Sequence, residues 1–569
     1  RAKHRLMDIY IARQIVSEKL TTVMESLPPN VNKPVLGPQT SIMGEVMIIG
    51  LTSTKTSMQD LRTIADRLIS PQLLSISGVA QVTVMGGDIK EYQIVLSTEK
   101  MKYYNVTLDE VMQATDGLTT NTNGGIMYEH GNEYVIKGNI NTTDADKIGQ
   151  AVVVNKPDTL VHLSDIADVR IGAKTPVLGV ASEKGKPAVL VTVSKQYNTG
   201  TIELIDKIED ELAQLQKNIP SDIHISTDIF RQSDFIESSI NNTQSALLEG
   251  ALFVVIVLFF FLMDVRATII SLVALPLSVL ITMIALHAMG YTINTMSLGG
   301  IAIAIGSLVD DAIVDVENVY RKLRRNASLP VGERQKILDV IFNASTEVRM
   351  PIFNSSLIII ASFLPLFFLS GMEGRLLIPL GVAFIISLIA STVVALTLTP
   401  VLCSVLLKND KHIEKQTKEA WTSVKLRNAY NNVLAWSLSH KKIVLGSTGV
   451  LLVVALCLFF TFGRSFLPSF NEGSFTINVA TLPGISLEES DNIGKKVDEI
   501  LLSIPEIKTI ARKTGRAELD EHSRGSNASE IEAPYEIIDR PREEIMHEIR
   551  ERLSSIPGIS IEIGQPISH

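Results

Sequence analysis

"IGSLVDDAIVDVEN", Ile305–Asn318, lies inside an apolar run of membrane-spanning length, yet it holds Asp310, Asp311, Asp315 and Glu317. Asp310 precedes Arg321, the first residue of a basic cluster, by about eleven positions, or about 16 Å along a helix rising 1.5 Å per residue. That depth is close to mid-membrane, where each Asp opposes insertion by about 2.5–3.5 kcal/mol. Such residues normally turn toward the interior of a helix bundle. Helical geometry divides the four acids: Asp310 and Glu317, seven apart, share one face, and Asp311 and Asp315, four apart, share the neighbouring one. Carboxylates crowded in a low dielectric do not all stay ionised, so at least one is expected to carry a proton near neutral pH. A carboxyl that loads and releases a proton in mid-membrane is what proton-coupled transport requires.

Apolar blocks recur at 245–263, 268–289, 294–319, 351–371, 377–407 and 443–462, each supplying the roughly 20 residues that an apolar core about 30 Å thick demands. Arg321, Lys322, Arg324, Arg325, Arg334, Lys336 and Arg349 follow the third block, and Lys411, Lys415, Lys418, Lys425, Arg427 and Lys441 precede the sixth. The turns near Gly290 and Gly371 offer only Arg375, so the two basic connections are expected on the cytoplasmic side. Alternate threading then puts residues 1–240 and 463–569 on the opposite side, with five spans in 241–407, a linker with an amphipathic helix in 408–442 and a sixth span in 443–462. The opening RAKHRLMDIYIARQIV is neither signal peptide nor span, and GISIEIGQPISH stops abruptly, so truncation at both ends is expected.

The chain of 569 residues exceeds what one core usually supports. Its net charge of −9, with no concentrated basic groove, excludes a nucleic-acid partner. The two cysteines, Cys403 and Cys457, both fall in apolar blocks and leave no disulfide framework or cysteine knuckle. Outside the membrane blocks one pattern repeats. LLSISGVAQVTVMGG (73–87) lines up without gaps on LLSIPEIKTIARKTG (501–515), and LQKNIPSDIHISTD (215–228) and LSSIPGISIEIGQ (553–565) repeat the same helix-to-strand logic. Apolar spacing of three to four, then two, predicts small α+β sandwiches built from a reused module. These regions carry no phosphate loop, HExxH or GxSxG.

GGIAIAIGSLVDDAIVDVENVYRKLRR (299–325), LLEGALFVVIVLFFFLMDVRATIISLVALPLSVL (247–280) and FLPSFNEGSF (466–475) together resemble the resistance-nodulation-division (RND) family of proton-driven exporters. LSDIADVRIG (163–172) and GKPAVLVTVSKQ (185–196) resemble its heavy-metal efflux branch. The match runs through the whole chain, about half of a typical member. The resemblance implies a partial RND fold: a membrane α-helical bundle with periplasmic α+β, ferredoxin-like porter subdomains and a docking subdomain. It implies a secondary transporter, not an enzyme, without a cofactor, multi-pass in the bacterial inner membrane. Its implied partners are two further copies in a homotrimer, a periplasmic adaptor, an outer-membrane channel, the lipid bilayer and transported metal ions.

Carried over by position, Asp310 matches the family's principal relay Asp, Asp311 the second Asp of the multidrug pattern, and Glu317 a relay Glu of the metal branch. Glu317 has a second reading as an interfacial acid beside the basic boundary, and Asp315 is either relay or packing. Met296 fits one place in the thioether path of copper and silver pumps, but Leu308 and Asp315 stand where other methionines would be. Ala304 occupies the position of an extra acid in cobalt, zinc and cadmium pumps. GRAELDEHSRGSNASEIEAP (515–534) is read as a loop with Glu518, Asp520, Glu521, His522, Glu530 and Glu532, either a solvated acidic segment or ligands for divalent metal. The leading expectation is proton-driven efflux of metal cations. A hydrophobic-compound exporter is the alternative within the family, and a protein-translocation or lipid-handling relative is the alternative of another class.

Overall fold

The computed structural model describes residues 9–566 except 25, 29–30, 32–33, 35, 38–39, 41–43, 120–121, 139–141, 157–158, 198, 263–264, 292–293, 331–332, 408–420, 462–471, 518–524 and 539. It divides into residues 1–235 with 470–569, and residues 236–469.

The first unit is built on two copies of one topology. β1 (Glu45–Ser53), a helical segment α1 (Met58–Ile64, continued through Ala65–Ile69 and Ser70–Ser75), and β2 (Val79–Met85) form its first half. After a long insertion that includes β3 (Gly179–Glu183) and β4 (Lys186–Pro187), β5 (Val189–Lys195), α2 (Thr201–Asn218) and β6 (Ile223–Arg231) complete it. The sheet order is β6–β1–β5–β2, all antiparallel. This is a βαββαβ unit with its first and third strands central. β1 reads EVMIIGLTS and is buried along most of its length because both its faces are covered. Met47, Ile49 and Leu51 pack on Leu61, Ile69, Leu204 and Ile208 from the helices, and Ile48 packs with Met85 and Leu190 on the other face. Ser57 opens α1 by accepting from the Asp60 amide.

The second unit follows β6 in the chain. Beyond it, residues 472–566 repeat the topology: β7 (Ser474–Ala480), α10 (Leu487–Leu502), β8 (Ala511–Gly515), β9 (Ala528–Pro534), α11 (Arg542–Leu553) and β10 (Ser560–Gly564). Its strands run β8–β9–β7–β10, the same order as β2–β5–β1–β6. The repeats read from sequence therefore fall at equivalent places: 73–87 and 501–515 each lead from the first helix into the second strand, and 215–228 and 553–565 from the second helix into the fourth. β3 pairs antiparallel with β8, so a hairpin of the N-terminal segment extends the second sheet to six strands. A buried ion cluster fastens this junction. Ser182 of β3 donates to Asp498 Oδ2 at 2.8 Å, and Arg512 Nε lies 3.0 Å from the same oxygen, with Nη1 2.9 Å from Asp491. The guanidinium fits only because residue 494 is glycine, where a Cβ would collide with it.

The 515–534 stretch is thus only partly a loop. Ala528–Pro534 is strand β9, and its period-2 alternation puts Ile531 and Ala533 in the helix-covered core. Glu530 and Glu532 point from the other face.

In the second unit six helices among the described residues are long and apolar enough to cross a membrane. They are α3 (Gln232–Leu262), α4 (Val265–Ala288), α5 (Thr295–Ala327), α6 (Ile337–Phe363), α7 (Gly371–Leu406) and α9 (Lys441–Phe459); α8 (Trp421–Ser439) precedes the last. The helices overrun the expected apolar blocks. The basic stretch after the third block is mostly helical, because Arg and Lys are good helix formers; one helix runs to Ala327 and the next starts at Ile337. Asn294 and Ser297 cap the start of α5 reciprocally. Pro276, Pro351, Pro379 and Pro400 sit inside helices, as helices packed in a membrane tolerate.

α4, α5, α6 and α7 pack on one another, with α5 against α7 the most extensive pair. Small residues permit the approach: a Cβ at Gly300 would collide with the Leu380 carbonyl, and Ala304 and Ala312 are fully covered. Val316, Val319 and Leu323 continue the buried stripe onto Ile341 and Ala344 of α6 and Cys403 of α7.

Candidate functional site

The acids of α5 divide between its two faces. Asp310 and Glu317 are exposed on the side that α4, α6 and α7 leave open. Asp311 is half-buried and Asp315 only 2% exposed, both turned toward α6 and α7.

Asp311 meets a pair of hydroxyls. Thr392 of α7 donates to Asp311 Oδ2 at 3.5 Å, and its Oγ1 lies 2.8 Å from Ser356 Oγ of α6. Each hydroxyl carries one proton and has a backbone alternative: Thr392 reaches the Leu388 carbonyl at 2.9 Å, and Ser356 the Ile352 carbonyl at 3.0 Å. Thr392 therefore offers its proton either to its own helix or to Asp311. Thr392 thus joins Asp311 of α5 to both α6 and α7.

One helical turn further on, Asp315 has no such donor. Neither carboxylate oxygen has a hydrogen-bond partner, and the Ser345 hydroxyl beside it is likewise unsatisfied. Cys403 of α7, fully buried, lies within electrostatic reach. Toward the basic end α5 and α6 are tied by polar contacts. Asn318 Nδ2 donates to the Ala344 carbonyl at 2.8 Å, Arg321 Nη2 donates to Asn318 Oδ1 at 2.9 Å, and Lys322 Nζ lies 2.9 Å from Glu347.

Met296 is half-buried in the first turn of α5, about 21 Å along the helix from Asp310 at 1.5 Å per residue, so the fold does not bring the two together. Of the other candidates, Glu518, Asp520, Glu521 and His522 lie outside the described residues. Glu530 of β9 faces Lys513 of β8 across the ladder, 3.8 Å from its Nζ. Glu532, in the next outward position, is buried; Thr476 Oγ1 donates to it at 2.9 Å, and burial followed by the neighbouring Glu530 charge pushes its carboxyl up to about 8. Glu183 of β3, also buried, has one unpartnered oxygen, which lies where a side chain on Gly50 would be. Among the described residues no group of three or more His, Cys, Asp or Glu side chains is placed to hold a metal ion.

Sequence reasoning missed the Thr392–Ser356 pair. Both are small hydroxyl residues within apolar helices, and nothing in their local sequence separates them from packing residues. A usable signal is their period along α6 and α7: Ser345 and Ser356 are eleven apart, and Thr392, Thr399 and Cys403 fall seven and four apart, so each set lines one helix face.

Three relatives illustrate what the chain is similar to. Protein HelA of Legionella pneumophila is 30% identical over 575 residues, covering 98% of this chain and 54% of HelA. The cobalt-zinc-cadmium resistance protein CzcA of Cupriavidus metallidurans is 28% identical over 580 residues, 98% of this chain and 54% of CzcA. The cation efflux system protein CusA of Escherichia coli K12 is 31% identical over 576 residues, 97% of this chain and 53% of CusA. The chain thus spans about half the length of the curated relatives it matches. The crystal structure of a heavy metal efflux pump shares the fold at 24% identity, with a TM-score of 0.82 over 99% of this chain and 53% of that one. The profile of the AcrB/AcrD/AcrF family matches residues 4–569, and the chain belongs to that family of resistance-nodulation-division transporters.

Proposed function

We propose that this chain is part of a proton-driven exporter of heavy-metal cations in the bacterial inner membrane. The observation that carries the proposal is Asp311, an acid within an apolar helix, facing hydroxyls on two neighbouring helices. The similarity to relatives named for cation efflux and for cobalt, zinc and cadmium resistance supports the cargo class. Protonation of Asp311 removes its charge and releases the Thr392 proton to the Leu388 carbonyl, easing α7 relative to α5; deprotonation reverses this. Asp310 and Glu317 serve the same relay from the open face of α5, while Met296 stands apart from it.

In this reading residues 1–240 are periplasmic porter and docking subdomains, and residues 463–569 are the start of a second periplasmic porter region. The basic connections after α5 and before α9 are cytoplasmic. The working assembly is a homotrimer joined to a periplasmic adaptor and an outer-membrane channel.

The test is export by the complete pump carrying Asp310→Asn or Asp311→Asn, in a host challenged with zinc, cobalt, nickel, copper and silver. A loss of at least tenfold in export of one or more metals is expected for each variant. Full export by both would refute proton coupling through α5. Unaltered tolerance to all five metals on deleting the pump, with new sensitivity to hydrophobic compounds, would overturn the metal cargo.

A further inference from the structure

Asp315 presents a physical problem that the Asp311 network leaves untouched. It is 2% exposed, and both carboxylate oxygens lack a hydrogen-bond donor. An ionised carboxylate so placed costs several kcal/mol, and an apolar side chain of similar size would pack there without that cost. The Ser345 hydroxyl of α6 beside it is also buried and unsatisfied, so the junction of α5 and α6 holds polar atoms that complete no bonds. Asp311 lies one turn away on the same face, about 6 Å along the axis.

We propose that Asp315 is a second proton acceptor of the transport step, taking from Asp311 the proton that is passed on toward the basic end of α5. This rests on the reading of the chain as proton-driven. The transfer is a simple exchange: the proton leaves the Asp311 carboxyl, which becomes carboxylate, and binds a carboxylate oxygen of Asp315, which becomes neutral. The groups facing Asp315 suit such a stop. From α6 the Arg349 charge reaches it beyond the Ser345 hydroxyl, from α7 it meets the Cys403 thiol, and on its own helix it has Asp311. The ionisable side chains of α4 are Arg266 and His287; Arg266 Nη1 donates to the Leu406 carbonyl at 3.3 Å, about one turn beyond Cys403. Cationic charge is therefore arranged on the exit side of Asp315, where it favours release. Asp310 and Glu317 occupy the neighbouring, open face of α5.

The experiment combines infrared titration of the complete solubilised protein, following the carbonyl stretch of protonated carboxyls, with metal export by the same variants in cells. Asp315→Asn is expected to remove one titrating carboxyl and slow export at least tenfold. Asp315→Glu is expected to restore both, with the titration displaced in pH. A wild-type titration in Asp315→Asn overturns the proposal, as does its loss with export and pH profile unchanged, and so does equal failure of Asn and Glu in folded protein. If Asp315→Asn does not fold, Ser345→Ala decides: a displaced titration supports the proposal and an unchanged one overturns it. Full export by Asp310→Asn and Asp311→Asn would instead remove the proton-driven reading itself, a result separable from the Asp315 titration.

Discussion

Replacing Glu532 by Gln tests how the second βαββαβ unit responds to pH. The Glu532 carboxyl is buried between Thr476 and Ser474 on β7, and its proton is held up to about 8 against an ordinary 4.5. Below pH 4.5 the carboxyl is protonated in folded and unfolded chains alike, and its contribution to stability is fully present. As pH rises the unfolded chain ionises first, and that stability is lost progressively until the folded carboxyl ionises near 8. At about 1.36 kcal/mol per pH unit, the interval from 4.5 to about 8 amounts to on the order of 5 kcal/mol. Gln keeps the volume and the acceptor for Thr476 but cannot ionise. At pH 5 the variant is expected to lie within about 1 kcal/mol of wild type, the usual scale of one altered hydrogen bond. At pH 9 it is expected to be several kcal/mol more stable. The assay is hydrogen exchange of the β7 and β9 amides between pH 5 and 9, corrected for the intrinsic pH dependence of exchange. Parallel curves for wild type and Glu532→Gln would refute the assignment of a proton to this carboxyl.

Two further outcomes follow from packing. Asp498→Ala leaves the fully buried Arg512 without the carboxylate whose two oxygens share its Nε proton and is expected to destabilise the unit by about 3–5 kcal/mol. Urea unfolding measures it, and a loss below about 1 kcal/mol would show that Asp491 alone suffices. Gly300→Val forces a side chain against the Leu380 carbonyl and is expected to abolish the folded membrane unit. A monodisperse elution profile in detergent with retained export would contradict that close approach.

The sequence alone determined the number and kind of apolar segments, because hydropathy over about 20 residues needs no knowledge of neighbours. It also placed Asp310 and Glu317 on one face of a helix and Asp311 and Asp315 on the next, since that follows from 3.6 residues per turn. The helix-to-strand repeats were legible for the same reason: periodicity is local. Helix ends were less so, because charged residues prolong a helix past its apolar part, as at Arg324 and Arg325 in α5. Glu530 and Glu532 read as loop residues from sequence but lie on a strand, because a charged strand face looks like a solvated segment until the opposite face is seen to bury Ile531 and Ala533.

Tertiary structure alone decided the strand order, the loan of the β3–β4 hairpin to the second sheet, and which face of α5 is covered. Those outcomes depend on pairing between residues far apart in the chain, 316 positions for Ser182 with Asp498 and 81 for Thr392 with Asp311. The four acids of Ile305–Asn318 have similar costs in a hydropathy profile. They differ physically because α6 and α7 close over one side of the helix, giving Asp311 hydroxyl neighbours and leaving Asp315 buried without a donor.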